Sequence, residues 1–132
     1  MDSYYNTKSY TPAELTALNI PTSFTVSNIG DTSPPVYQSA TVDGNELVMT
    51  YTENSSLSYV TAAKESFSVI TAGVANPVTT VSVDQNTNTV TLYLTNSVTH
   101  GQSTSLSYTD PTSGNDVNAI QDIFGNDAAS IN

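Results

Sequence analysis

From residue 34 onward, apolar and polar side chains alternate in short runs, each closed by turn-forming residues. Residues 46–52 (ELVMTYT) show it most clearly: Leu47, Met49 and Tyr51 fall on one face, Val48, Thr50 and Thr52 on the other. A period of two is that of an antiparallel strand with one buried face. Another short run, 36–42, precedes it across Asp43-Gly44-Asn45. Asp-Gly between two such runs predicts a hairpin, because glycine tolerates positive φ. Further runs follow at 66–71 with Phe67 and Val69 inward, 78–83, 89–94 with Val90, Leu92 and Leu94 on one face, 103–109 with Leu106 and Tyr108, and finally 128–131. Ala72-Gly73, Asn76-Pro77, residues 84–88 and His100-Gly101 supply the turns, and 57–63 reads as a crossing segment or short helical turn. The pattern predicts an all-β chain, an antiparallel β-sandwich of about seven strands.

Residues 1–33 break this rhythm. Thr11-Pro12-Ala13-Glu14 has the order of a helix start, with Thr as N-cap and Pro in the first helical position. Asn19-Ile20-Pro21 ends that helix by Leu18, and residues 23–28 alternate Phe24 and Val26 as a strand would. Thr32-Ser33-Pro34-Pro35 then makes a stiff linker. The expected organisation is a sandwich domain over 34–132 behind an extension, 1–33. Residues 20–28 (IPTSFTVSN) faintly echo 124–132 (FGNDAASIN), as they would if the extension were the tail of a preceding repeat plus its linker. The alternative is a private helix and strand packed on this sandwich.

Composition removes several function classes. The 132 residues suffice for one domain, and 37% apolar content allows a modest core. There is no cysteine, so no disulfide framework or thiolate metal site exists. Twelve acidic residues against two basic ones give a net charge of −10, a surface that repels phosphate backbones and anionic lipid headgroups. Nucleic-acid binding is not expected. Nor is membrane insertion, since no apolar run is long enough to span a bilayer. Residues 1–20 lack the basic and apolar regions of a signal peptide, so a secreted form would be an excised piece of a longer protein.

Catalysis finds little to work with. The single histidine, His100, sits in a turn, no G-x-S-x-G is present, and no Gly-rich phosphate loop precedes a helix. The expected class is not an enzyme. Lys64 is the only lysine in the sandwich able to form an isopeptide cross-link, and an ordinary surface lysine is the plainer reading. Thr50-x-Thr52 and Thr89-x-Thr91 are too short for an ice-binding face. Tyr93, Tyr37 and the N-terminal Tyr4, Tyr5 and Tyr10 are the aromatic candidates for a glycan platform.

Acidic oxygen ligands are the stronger signal. Calcium takes six to eight oxygens from carboxylates, amides, carbonyls and water, commonly on loops. Glu53 ends the second run, Asp110 follows Tyr108, and Asp116, Asp122 and Asp127 lie in the late loops with Asn115 and Asn126. Asp31 stands in the linker, where a metal would fix the angle between neighbouring domains. No segment fits the EF-hand spacing. The plain alternative makes these acids solvated turn formers and Asp122-x-x-Gly125-Asn126 a tight turn.

The order PP-V…SATVDGNELVMTYTE, a crossing segment into SFSV, NTVTLYLTNSVTHGQSTSLSYTDP and a late AIQDIFGN resembles bacterial Ig-like repeats, in particular the SWM-type repeats of large surface and biofilm adhesins. The resemblance covers about residues 34–131 and lies in the order of short elements. It implies an Ig-like Greek-key sandwich in tandem arrays, extracellular at the bacterial cell surface and non-enzymatic, in many relatives rigidified by calcium. Its motif positions pair Glu53 with Asp122 as the first metal ligands. The functional expectation is a structural extender of an adhesin, with neighbouring repeats of the same chain as partners. The alternative is a recognition module that binds a glycan, a peptide or its own copy through an exposed strand edge.

Overall fold

The computed structural model describes residues 30–132, so the helix expected from Thr11 and the strand expected at 23–28 lie outside the described residues. Six strands form two antiparallel sheets of three: β1 (Val36–Thr52), β2 (Phe67–Thr71), β3 (Val74–Ala75), β4 (Val78–Asp84), β5 (Thr89–Val98) and β6 (Thr104–Tyr108). One sheet has the order β1-β5-β4, the other β3-β2-β6. The connections β1–β2, β3–β4 and β5–β6 each cross between sheets, which makes an Ig-like sandwich.

β1 is an unbroken extended run of 17 residues, yet it is not straight. The rings of Tyr37 and Tyr51 meet edge to face at 5.9 Å. Fourteen residues of straight strand would hold them roughly 46 Å apart. The chain therefore reverses at Asp43-Gly44-Asn45, where Gly44 has φ +62°, and the two arms lie side by side. The expected hairpin is present. Its second arm carries Leu47, Met49 and Tyr51 into the core and pairs with β5 from Glu46↔Tyr93 to Thr50↔Thr89.

The alternating faces meet as their period dictates. Leu47, Met49 and Tyr51 pack with Val90, Leu92 and Leu94 and with Phe67, Val69 and Tyr108 of the opposite sheet. Every one of these is at least nine-tenths buried. At roughly 2 kcal/mol for each fully buried large side chain, this cluster is the main source of stability. Phe67 and Tyr108 stack at 5.1 Å across β2 and β6.

Three details depart from the expected pattern. The run 128–131 does not form a strand; Ile131 makes an isolated bridge to Tyr108, with hydrogen bonds of 2.8 and 2.9 Å between their backbones. The helical turn lies at Lys64–Ser66, a 3-10 turn, and not within 57–63. Ala72-Gly73 does more than end β2: it makes a tight hairpin to β3, with Ile70↔Ala75 and Thr71↔Val74 paired. Both turn residues have positive φ, +51° at Ala72 and +80° at Gly73.

Tyr108 and Asn76 fasten the crossings. The Tyr108 hydroxyl accepts the Ile120 N–H at 2.9 Å, which ties the late loops to the core. Burial pushes that hydroxyl up to about 12, so it stays a neutral phenol. Asn76, buried between the sheets, donates to Thr71 Oγ1 and to the Asn96 carbonyl and accepts the Asn96 N–H. Replacing Asn76 with alanine orphans the Asn96 groups, and chemical denaturation should show a loss of about 1–3 kcal/mol. Ala72→Asn places a residue tolerant of positive φ ahead of Gly73; the same measurement should show a gain of about 0.5–1 kcal/mol.

Candidate metal centre

The end of the sandwich where β1 and β6 finish is built from acidic turns. Strand β1 stops at Thr52 and delivers Glu53. Glu53 then caps its own turn: Oε1 accepts the Ser55 N–H at 2.9 Å and the Ser55 hydroxyl at 2.6 Å. Asp122 is fixed by an isolated bridge to Leu57 and is 1% exposed. Its Oδ1 accepts the N–H groups of Phe124 and Asn126 at 2.8 and 2.9 Å, and Gly125 at φ +88° lets the turn close. Asp31 repeats the device on a smaller scale, its Oδ1 accepting the Ser33 N–H at 2.8 Å.

Each of the three carboxylates so spends one oxygen on its own turn. Oxygens of Asp31, Glu53 and Asp122 all come within 4.8 Å of one another. Asp31 Oδ2 and Glu53 Oε2 are shielded from solvent and meet no donor group among the described residues, and the two carboxyls lie close enough to share a proton. Burial pushes the Glu53 carboxyl above its ordinary range, its Ser55 hydrogen bonds oppose this, and the neighbouring Asp31 and Asp122 add to the rise. Repulsion between two carboxylates at this separation is on the order of 3 kcal/mol at an effective dielectric of about 20, less whatever solvent screens. Hydrogen bonds to a charged group return about 1.5–3 kcal/mol each, and the turns supply several, so they offset much of this crowding.

A second cluster adjoins the first. Oxygens of Asp110, Asp116 and Asp127 also lie within 4.8 Å of one another. Asp116 donates its N–H to Asp127 Oδ2 at 2.6 Å and accepts the Thr112 hydroxyl through Oδ2. Asp110 Oδ1 and Asp127 Oδ1 are shielded and accept no hydrogen bond from the described residues. Burial raises both carboxyls, with the Asp116 charge next for Asp110 and Asp110 and Asp116 contributing for Asp127.

Asn126 works here through its amide nitrogen: Nδ2 donates to Asp122 Oδ2 and to the Asp31 carbonyl, both at 2.8 Å, so it orients a carboxylate and holds residue 31. Asp127 completes the second cluster. The signal for both was the spacing Asp122-x-x-Gly125-Asn126-Asp127, where a self-capped turn throws the next acid toward Asp116. Lys64 lies elsewhere, exposed beside Glu65 at 3.9 Å, and His100 is an exposed turn residue.

Chemically the first cluster is an all-oxygen donor set with two bare, shielded oxygens, which suits a hard divalent cation; carbonyls and water would have to complete six or more ligands. Without a cation, the raised carboxyls set a pH dependence. A folded-state pKa above the unfolded value gives stability that is full below the unfolded value and lost as pH rises through the folded one. In EDTA, thermal melts should therefore fall in Tm as pH rises from about 4.5 toward neutrality, and Glu53→Gln should flatten part of that fall.

Comparison with known proteins places this architecture. The family SWM_repeat, described as "Putative flagellar system-associated repeat", matches residues 30–113, well over half of the chain. Two solved structures share the fold. The N-terminal part of the bacterial S-layer protein SbsC superposes with a TM-score of 0.57 at 17% identity, covering 75% of this chain and 22% of that one. The S-layer protein rSbsC(31-844) gives 0.50 at 19% identity, covering 74% and 14%. The chain thus spans about a fifth or less of the length of either S-layer chain. No curated protein matches it significantly. The match begins at Gly30, the residue that leads into the Asp31 turn, and the chain belongs to the SWM repeat family.

Proposed function

We propose that this chain is a non-enzymatic structural module of a bacterial cell-surface protein, one domain in a tandem series whose joint to the preceding segment is stiffened by calcium. The supporting observation is the convergence of Asp31, from the linker, with Glu53 and Asp122, from the sandwich, onto one small volume with two oxygens that meet no donor group among the described residues. A cation there would bind linker and domain at once and neutralise the carboxylates it joins. Glu53 and Asp122 serve as the domain's ligands, Asp31 as the linker's, and Asn126 holds Asp122 and the Asp31 backbone in place. Asp110, Asp116 and Asp127 form a second position of the same kind.

Membership in a repeat family and the fold shared with S-layer proteins support the tandem, surface-exposed setting. An extender role in an adhesin follows from the same reading. Among the described residues no helix is long and apolar enough to cross a membrane.

Calorimetry in EDTA and in millimolar calcium tests this. Calcium at about 100 times its Kd adds about 2.7 kcal/mol, which raises Tm by on the order of 10 °C for a domain of this size. Glu53→Gln should remove most of the gain while leaving the EDTA melt as stable or more so. Identical melts in calcium and EDTA would refute the metal.

A further inference from the structure

Eight large apolar side chains are exposed among the described residues, and five of them stand on two segments that are laced together. Tyr59 and Val60 lie on one, Val117, Ile123 and Phe124 on the other, each half to three-quarters exposed. Gln121 joins the segments: its buried amide nitrogen donates to the carbonyls of both Val60 and Val117, at 3.1 and 2.9 Å. The Ser58 N–H donates to the Gln121 carbonyl, and the Ile123 N–H to that of Ser56. The patch is therefore held in place by backbone and amide bonds, and nothing in the metal cluster uses its side chains. Concentrated exposed apolar surface of this kind marks a contact site.

We infer that this patch docks the chain's own residues 20–29. The chain is delivered there. Gly30, at φ +74°, lies so close beneath Phe124 that a Cβ would sit 2.5 Å from its ring carbon, and Asn126 grips the Asp31 carbonyl. Gly30, the first described residue, thus stands at the rim of the patch, and ten residues, if extended, would reach up to roughly 33 Å from it. The segment has the matching chemistry: residues 15–29 carry no charge, and Ile20, Phe24, Val26 and Ile29 offer apolar side chains. A tethered segment also arrives at an effective concentration in the millimolar range. A second copy would have to match that while bringing another ten negative charges.

Hydrogen exchange on the full chain in EDTA tests the docking without calcium, and so separately from the metal reading. Amides of residues 24–29 should be protected, and Val60→Ser with Val117→Ser should speed their exchange at least tenfold while β5 amides stay protected. Phe24→Ser, which leaves the sandwich sequence untouched, should have the same effect. Unprotected amides in the parent chain, or protection unchanged in both variants, would overturn the inference. So would a dimer in light scattering that the Val60/Val117 variant dissociates, because the patch would then belong to a second copy.

Discussion

The end of this domain is shaped by the need to hold carboxylates together that repel one another. Asp122 is almost wholly buried, and its turn aims two N–H donors at one of its oxygens. That one self-capped turn orients Asn126, which donates to the Asp31 carbonyl, and presents Asp127 to the second cluster. It also fixes Gln121, whose amide laces the crossing segment to the late loop. Remove the capping of Asp122, and the linker contact, both acidic clusters and the apolar patch lose a common support.

The sandwich beneath supplies rigidity. Its core is made by strict alternation, so its position follows from sheet geometry alone. Tyr108 carries that rigidity outward, joining the core to Ile120 and Ile131, the two ends of the late loops. The division of labour is that strands fix where the turns begin and turns fix where the acids point.

Much of this was legible in the sequence. Leu47, Met49 and Tyr51 declared their face by period, as did Val90, Leu92 and Leu94, because burial on one side of a strand leaves a direct mark on residue type. The hairpin at Gly44 was readable for the same reason, since positive φ selects glycine. The short strand β3 was not, for two residues carry no period and Ala72 is an unusual choice for a left-handed position. The run 128–131 misled because its apolar residues pack against the core singly, by bridges rather than a ladder. The acids were visible as a set, and the family resemblance paired Glu53 with Asp122, but their division into two groups of three was not visible. Grouping Asp31 with Glu53 and Asp122 needs the chain's path across 91 residues, which no local pattern encodes.

The central claim is that the Asp31, Glu53 and Asp122 carboxylates meet in order to share a cation. The most direct measurement is a crystal structure grown in excess calcium, with anomalous scattering data collected to locate the ion. The account predicts a peak between the three carboxylates, with Asp31 Oδ2 and Glu53 Oε2 at about 2.3–2.6 Å from it. A water molecule or a protonated, hydrogen-bonded carboxyl pair at that position, under saturating calcium, would contradict it.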